Sequence, residues 1–353
     1  MKLTIEKAET LKPLPKDSSL SFGTLFTDHM FNMDYDSRQG WHTPRIEPYG
    51  PFKLDPATTF FHYGQGVFEG LKAYRIESGD IQLFRPKENF KRLNRSSTML
   101  CIPQIDESFA FEAVKQLLRV DKHWVPSAPG TSLYIRPAII ATDPFLGLRS
   151  SLTYRFFIIL SPVGAYYPEG FNPVKIWVTQ NHVRTVRFGM GEAKTPGNYA
   201  ASLGATEEAH KEGYTQVLWL DGVEQKHIEE VGSMNIFFVM DNVLVTPALN
   251  GSILPGITRD SVLKLARSWE MSVSERKIAI DEIFNTHGSG RLQEVFGSGT
   301  AAVISPVGEI KYGKRSIKIN NEKVGPIAQK FYSAITDIQY GKIKDPFGWI
   351  EKI

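Results

Sequence analysis

The sequence has little cysteine, almost no excess charge of either sign and no long apolar run. Its single cysteine, Cys101, excludes an internal disulfide framework and a cysteine-rich metal site. The net charge is only +3 and basic residues form no run, which argues against nucleic-acid binding. The longest apolar runs, FFIIL and NIFFVM, are too short to span a bilayer, and the charged N-terminus does not resemble a secretory signal. We therefore expect a soluble, cytoplasmic protein without a membrane or nucleic-acid partner.

The chain is long enough for two domains. Its residues are 42% hydrophobic and 22% charged, which is the composition of a globular enzyme. With 353 residues, it is too long to fold around one small hydrophobic core. The stretch VGAYYPEGFNP is rich in Gly, Pro and Tyr and is the best linker candidate. We predict a small N-terminal α/β domain over 1–163, a linker over 164–173 and a large C-terminal domain over 174–353. Strands and helices do not alternate regularly, which favours a mixed α/β (α+β) fold over a plain doubly wound sheet.

Local patterns predict the main elements. Pro86 opens a helix over 86–100, and further helices are expected over 107–125, 198–212, 255–270 and 325–341. Strands are expected over 131–142, 151–162, 174–180 and 215–220, and within 290–307. The aromatic and β-branched stretch 58–76 reads as strand. Residues 229–247 read as two strands joined at Asp241-Asn242.

One lysine, Lys194, stands among small residues in GMGEAKTPGNYAAS. Glycine and alanine neighbours suit a close backbone approach, and a lysine held in such a pocket can become a nucleophilic amine. By base rate, however, most lysines are solvated. Spacing alone leaves both interpretations of Lys194 open.

Two small-residue turns are suited to an anion. Gly256, Ile257 and Thr258 stand where a helix begins, so that their N–H groups and the helix dipole favour phosphate. In FGSGTAAV, Thr300 and Ala301 offer a hydroxyl and backbone N–H groups, but the stretch matches neither the Walker nor the dinucleotide-binding pattern. A plain helix start and a tight turn between strands remain alternatives.

A few charges fall within apolar strand patterns. Glu229 and Glu230 precede the strand VGSMNIFFV; a buried carboxylate there needs a cationic or hydrogen-bonding partner, and we expect one of the two to face water. Arg136, in LYIRPAII, needs a carboxylate, for which an internal residue is favoured over a substrate. His62 and the other histidines show no metal-ligand spacing, and we predict no metal site.

Together these features fit one cofactor. Pyridoxal 5′-phosphate needs a lysine for a Schiff base, a phosphate site such as a helix N-terminus and a carboxylate beside its ring nitrogen. Lys194, the two turns and Glu230 supply these groups.

The motifs also resemble a known family. The stretches FGTLFTDHM, FHYGQGVFEGLKAYR, LYIRPAII, GEAKTPGNYAAS, EEVGSMNIFFV, LPGITR and EVFGSGTAAV are similar to those of the branched-chain amino acid aminotransferases. The resemblance covers nearly the whole chain. It implies a two-domain fold-type IV pyridoxal-phosphate enzyme, like D-amino acid aminotransferase in fold.

The resemblance also implies residue roles. Lys194 would form the Schiff base, Tyr199 would bond the ring oxygen of the cofactor, and Glu230 would pair with its ring nitrogen. The phosphate would be held by Arg92, Ile257, Thr258 and Thr300. Substrate contacts would be Phe22, Tyr63, Phe68, Tyr134, Arg136, Tyr166, Ser233, Thr300 and Ala301, with Leu146 and Leu148 reaching the neighbouring subunit's site in a homodimer.

The implied reaction is ping-pong transamination between leucine, isoleucine or valine and 2-oxoglutarate. A D-amino acid aminotransferase or an aminodeoxychorismate lyase of the same fold is the alternative within the fold, and a non-catalytic phosphate-ligand binding protein is the alternative outside it. Some family members carry a Cys-x-x-Cys pair where this chain has Ala302 and Ser305, so thiol control at that place is not expected.

Overall fold

The computed structural model describes residues 1–164 and 171–353. The chain divides into two compact units. The first unit comprises Met1–Tyr166, Ala193–Pro196 and Asp337–Ile353, and the second comprises Tyr167–Glu192 and Gly197–Thr336. Residues 165–170 of the predicted linker, with the predicted substrate contact Tyr166, lie outside the described residues.

The first unit is built on a mixed sheet. Its strands are β1 (Thr4–Ile5), β2 (His29–Asp36), β3 (Gly40–Pro48), β4 (Gly66–Phe68), β5 (Leu71–Arg75), β6 (Ile81–Phe84), β7 (Ser132–Ala141), β8 (Thr153–Val163) and β18 (Ile350–Lys352). Their order among the described residues is β1-β3-β2-β8-β7-β5-β6-β18, with β4 paired to β7. The long antiparallel pair β7–β8 forms the centre of the sheet.

Two amphipathic helices of the first unit follow from their sequence. They are α2 (Pro86–Met99) and α3 (Glu107–Val120). Pro86 occupies the first turn of α2, and the Asp106 side chain caps α3 by accepting a hydrogen bond from Phe109 N at 2.9 Å. Their apolar stripes join one core with the sheet residues Phe31, Leu133 and Ile135. A short helix, α1 (Thr59–Tyr63), precedes β4, and 3₁₀ turns span Asp17–Ser19 and Lys122–Trp124.

The second unit contains a ring of paired strands. The strands are β9 (Val174–Val178), β10 (Gln216–Leu220), β11 (Ile228–Val231), β12 (Met234–Met240), β13 (Val243–Pro247), β14 (Val273–Arg276), β15 (Leu292–Gly299), β16 (Val303–Tyr312) and β17 (Arg315–Lys318). Their order among described residues is β11-β10-β9-β16-β15-β12-β13-β14, and the additional pairing of β11 with β12 closes the strands from β11 to β12 in this order into a ring. β13 and β14 extend from β12 outside the ring, and β17 pairs with β16.

The remaining helices are α4 (Pro196–Lys211), α5 (Ile257–Ser268), α6 (Ile280–Gly288) and α7 (Pro326–Gln339), and a 3₁₀ turn spans Asn320–Glu322. The first N–H groups of α7 are satisfied by Glu294, whose carboxylate accepts from Ile327 N at 2.8 Å and Ala328 N at 2.9 Å. No helix within residues 1–164 and 171–353 is long and apolar enough to cross a membrane.

The mixed α/β class is confirmed, and so are the long predicted helices. Two predictions of local structure are wrong. Residues 59–63 form α1 where a strand was expected, and 229–247 hold three strands because the chain turns again at Gly232, whose φ is +55°. The predicted hairpin at Asp241-Asn242 is confirmed, with φ of 51° and 62° at the two turn residues, as a type I′ turn requires.

Candidate active site

The backbone of Lys194 is fixed by the first unit. Phe68 N donates to Lys194 O at 3.0 Å, and Lys194 N donates to Ser96 Oγ at 2.9 Å. The next residue, Thr195, donates its hydroxyl to Gly66 O at 2.8 Å. The half-buried Lys194 amine lies 4.9 Å from the centre of the Phe68 ring. The small neighbours thus permit a tightly bonded segment that presents one amine beside an aromatic ring.

Arg92 lies in a buried ion pair with Glu69, a residue that the sequence analysis missed. Nε and Nη2 of Arg92 donate to the two Glu69 oxygens at 2.6 and 2.9 Å, and Asn89 adds a bond at 2.8 Å. Burial raises the pKa of the Glu69 carboxyl, but the charges of Arg92 and Lys194 hold that pKa below its ordinary value. An isolated carboxylate in the apolar stretch GVFEGL was the available signal for Glu69.

Four predicted substrate contacts meet on β4, β7 and the segment before β2. Arg136 Nη2 donates to Tyr134 Oη at 3.0 Å, and the Arg136 guanidinium lies 4.9 Å from the centre of the Phe68 ring. The Phe22 and Tyr134 rings meet edge to face at 5.0 Å. Among the described residues Arg136 has no carboxylate partner, and its buried Nε has no acceptor. The internal partner expected from the sequence stays a prediction, and the guanidinium also suits a carboxylate ligand.

The other predicted contacts of the first unit form an exposed apolar group. Tyr63, Leu146 and Leu148 are 44%, 61% and 83% exposed. The Tyr63 hydroxyl donates to Leu146 O, and Phe145 N donates to Ala57 O at 3.1 Å, which ties this loop to the start of α1. The loop is thus held in place with its large apolar side chains in solvent.

In the second unit, Glu230 is paired with Arg184. Arg184 Nη2 lies 2.5 Å from Glu230 Oε2, and the two side chains are only 9% and 4% exposed. Asn235 Nδ2 donates to Glu230 Oε1 at 3.3 Å and to Leu254 O at 2.9 Å. A small pocket brings the predicted residues Tyr199, Glu230 and Ser233 together; its lining is Arg184, Asn198, Tyr199, Ser202, Glu230, Gly232, Ser233 and Leu254.

Glu229 is buried as well, so the expectation that one of the two glutamates faces water is wrong. Its side chain is 3% exposed, accepts a hydrogen bond from Ser252 Oγ and accepts another from Asn250 Nδ2 at 3.3 Å. Both faces of β11 are covered in the closed ring, so successive residues are buried on opposite sides. Glu230, not Glu229, lines the pocket.

The predicted anion turn is the N-terminus of α5. The helix begins at Ile257 without a side-chain cap, and its first N–H groups have no acceptor within the helix. Gly256 is required here, because a Cβ on it would lie 2.0 Å from Asn235 Oδ1. Asn235 therefore connects this turn to Glu230. The half-buried Thr300 and Ala301 form the turn between β15 and β16.

Arg184 and Asn235 were missed by sequence reasoning. Arg184 lies in an irregular loop, QNHVRTVRF, where no periodicity separates it from exposed Arg187. Asn235 lies inside an apolar strand and is 4% exposed; a polar residue within such an apolar run was the available signal in the sequence.

The chain matches the family model described as amino-transferase class IV over residues 66–310. It is 57% identical to branched-chain-amino-acid aminotransferase 2 of Bacillus subtilis, over 99% of this chain and 97% of that protein. Two solved structures are similar in fold. The branched-chain amino acid aminotransferase of Escherichia coli has a TM-score of 0.77 at 28% identity, covering 92% of this chain and 98% of that one. A second branched-chain amino acid aminotransferase, from the organism abbreviated T.th. and solved with pyridoxamine 5′-phosphate, has a TM-score of 0.72 at 27% identity, covering 90% and 97%.

Proposed function

Because the chain belongs to the class IV amino-transferase family and is an aminotransferase of fold-type IV acting on amino and 2-oxo acids, we propose that its substrates are branched-chain L-amino acids and 2-oxoglutarate. Leucine, isoleucine and valine would give branched-chain 2-oxo acids, and 2-oxoglutarate would give L-glutamate, in a ping-pong order. The name of the 57% identical Bacillus subtilis relative supports the branched-chain substrate class.

The proposed cofactor is pyridoxal 5′-phosphate, whose ring serves as an electron sink when bound. The residues present fit this group. Arg184 stabilises the charged carboxylate of Glu230 in the pocket, which suits a protonated ring nitrogen, and the α5 N-terminus with Thr258 and Thr300 suits a phosphate. Arg92 would add a phosphate contact. The T.th. enzyme, whose structure contains pyridoxamine 5′-phosphate, supports the same cofactor for this chain.

In this proposal Lys194 would hold the cofactor, and its free amine would serve as the general base for the substrate α-proton. The hydrogen bonds of its backbone to Ser96 and Phe68 fix the main chain from which the amine extends. Glu230 would hold a proton on the ring nitrogen, and Tyr199 would bond the ring oxygen. Glu69 keeps Arg92 aligned through two short hydrogen bonds.

Substrate selection is assigned to two kinds of group. The apolar rings of Phe22 and Phe68 would pack on a branched side chain, worth about 0.8 kcal/mol for each methylene buried. Arg136, bonded to Tyr134 and without an internal carboxylate partner among the described residues, would bind the distal carboxylate of glutamate or 2-oxoglutarate. The substrate α-carboxylate would bind at the turn that holds Thr300 and Ala301. Ser233, which lines the same pocket as the Glu230 carboxylate, would add a further substrate contact.

We also propose a homodimer in which Leu146 and Leu148 complete the partner's site. The exposed fractions of these side chains, 61% and 83%, support a partner surface. Tyr63, which bonds the same loop, would belong to this group. A cytoplasmic location remains a prediction from the sequence, and the domain bounds at 163 and 174 remain predictions as well.

The single observation that carries the proposal is the buried Arg184–Glu230 pair lining a pocket in a chain 57% identical to a branched-chain aminotransferase. Single-turnover half-reactions of the holoenzyme test it, with cofactor absorbance as the signal. L-leucine, L-isoleucine and L-valine should convert the cofactor to its aminated form, and 2-oxoglutarate should restore it. Preference for D-alanine, or release of pyruvate from aminodeoxychorismate, would assign one of the alternative activities instead.

A further inference from the structure

The motif FTDHM is part of the family resemblance, yet the proposed reaction uses neither its Asp28 nor its His29. Both side chains are buried, at 3% and 2% exposure, at the start of β2. A third buried group, Asp121 at 0% exposure, ends α3. Three ionisable groups without contact to solvent need a structural or functional reason.

Their hydrogen bonds point to the N-terminal segment. Ala8 N donates to His29 Nε2 at 2.8 Å, and His29 Nδ1 lies 2.6 Å from Asp121 Oδ1. Because Nε2 accepts a hydrogen bond, the ring proton is on Nδ1 and is donated to Asp121. The Asp121 carboxylate thus selects the tautomer of His29 that can hold the Ala8 amide.

Asp28 binds the same segment four residues later. Lys12 N donates to Asp28 Oδ1 at 2.8 Å, and Trp124 Nε1 donates to Oδ2 at 2.6 Å. His123 lies 3.1 Å from Oδ2. Burial raises the pKa of the Asp28 carboxyl, but these donors hold it below its ordinary value, so the carboxylate stays charged. All four oxygens of Asp28 and Asp121 accept N–H groups, which makes the cluster a hydrogen-bonded anchor.

Apolar packing contributes little to the position of this segment, residues 8–24, which we term the strap. Leu11 and Leu14 are 54% and 53% exposed, and the strap borders a cavity of about 270 Å³. With few apolar contacts, polar anchors decide where such a segment lies. A further anchor is Asp17, which accepts from Ser127 N at 2.9 Å and Ala128 N at 2.8 Å.

The strap carries Phe22 to Tyr134, with ring centres 5.0 Å apart. We propose that Asp28, His29 and Asp121 are positioning residues, which fix the strap and thereby hold the Phe22 ring as a wall of the substrate pocket. The inference rests on the proposed function, in which Phe22 contacts the substrate. None of the three touches the substrate in this account; they act through Phe22.

The experiment is a double-mutant cycle in the holoenzyme. His29→Phe keeps a ring and removes both hydrogen bonds. The variant should raise KM for L-leucine about tenfold with a smaller change in kcat, as expected when ground-state and transition-state binding are lost together. Combined with Phe22→Ala it should add less than about twofold, because coupled residues give non-additive effects. His287→Gln is the matched control, since its Nε2 also bonds a backbone group, Lys318 O at 2.9 Å, at an exposed position.

A second variant perturbs the strap from the other side. A Cβ on Gly164 would lie 2.6 Å from the Leu20 carbonyl oxygen, so Gly164→Ala must move residue 164 and the strap apart without touching the histidine. Hydrogen exchange of residues 8–24 reports the displacement independently of turnover, and rates should rise about tenfold or more in both variants. If His29→Phe does not fold, the double-mutant cycle of Gly164→Ala with Phe22→Ala tests whether the position of the strap acts through Phe22.

Additive effects on kcat/KM, or a freely exchanging strap with an unchanged KM, would overturn the positioning role. Unchanged exchange in both variants would overturn the anchoring itself. The wild-type enzyme is measured first, so absence of transamination of L-leucine would be recognised as failure of the proposed function.

Discussion

Replacing Arg184 by methionine should strongly destabilise the second unit. Arg184 Nη2 lies 2.5 Å from Glu230 Oε2, and both side chains are almost fully buried. Its Nη2 also donates to Ser252 O at 2.9 Å and to Gly191 O at 3.2 Å. Methionine fills similar volume but leaves a buried carboxylate and two carbonyls short of a donor. Removing one partner of a buried pair costs about 3–5 kcal/mol, and we expect a loss in that range.

The assay is equilibrium unfolding of the cofactor-free protein in urea, read by circular dichroism. The double variant Arg184→Met/Glu230→Gln removes the uncompensated charge, so it should recover at least about half of the lost free energy of unfolding. Arg187→Met, a change of an exposed arginine in the same loop, is the control and should stay within about 0.5 kcal/mol of wild type.

A loss below about 1 kcal/mol for Arg184→Met would place the pair among weak, solvent-screened ion pairs and refute this reasoning. Equal losses in the single and double variants would show that the carbonyl bonds of Arg184, and not its charge, carry the effect.

Three further predictions concern chemistry, pH and assembly. Glu230→Gln should retain the cofactor but slow the single-turnover half-reaction with L-leucine by about a hundredfold or more; an unchanged rate would show that this carboxylate does not serve the ring nitrogen. Burial would raise the pKa of Asp221, but hydrogen bonds from backbone N–H groups lower it to about 2. The carboxylate should therefore contribute about 2 kcal/mol to the free energy of unfolding above about pH 4, and this contribution should be lost toward pH 2. Asp221→Asn should therefore be destabilised at pH 6 and indistinguishable from wild type near pH 2 in urea unfolding; a constant difference would contradict this. Mixing Lys194→Ala with Leu148→Trp protein should restore activity toward half that of wild type in each heterodimer. If subunit exchange is proven and the Leu148→Trp homodimer is impaired, an absence of recovery would show that each site is built from one chain.

The sequence predicted the elements whose signals are local. Pro86 and the apolar stripe that follows it specify α2, and Asp241-Asn242 specifies a type I′ hairpin. By contrast, the five-residue helix at Thr59 has no periodic pattern. Thr59 N and its hydroxyl donate to Asp143 O at 2.9 and 2.8 Å, two bonds across 84 residues that no local propensity reveals.

Candidate site residues could be predicted where the residue type is unusual among its neighbours in the sequence. Lys194 among small residues and Glu230 before an apolar strand are such cases. Arg184 could not be predicted, because its role depends on a loop folding back onto β11, and Glu229 was misjudged because alternation along a strand assumes one solvated face.

The lysine that binds the cofactor can be identified directly by chemical trapping. Lys72 is the rival amine, since burial lowers its pKa to about 8 in the same unit. Purified holoenzyme should be reduced with borohydride, digested and mapped by mass spectrometry. The phosphopyridoxyl group is expected on Lys194; it should be retained in a Lys72→Met variant and abolished together with transamination in Lys194→Ala. A label on Lys72 or another lysine, or full transamination by Lys194→Ala, would contradict this expectation.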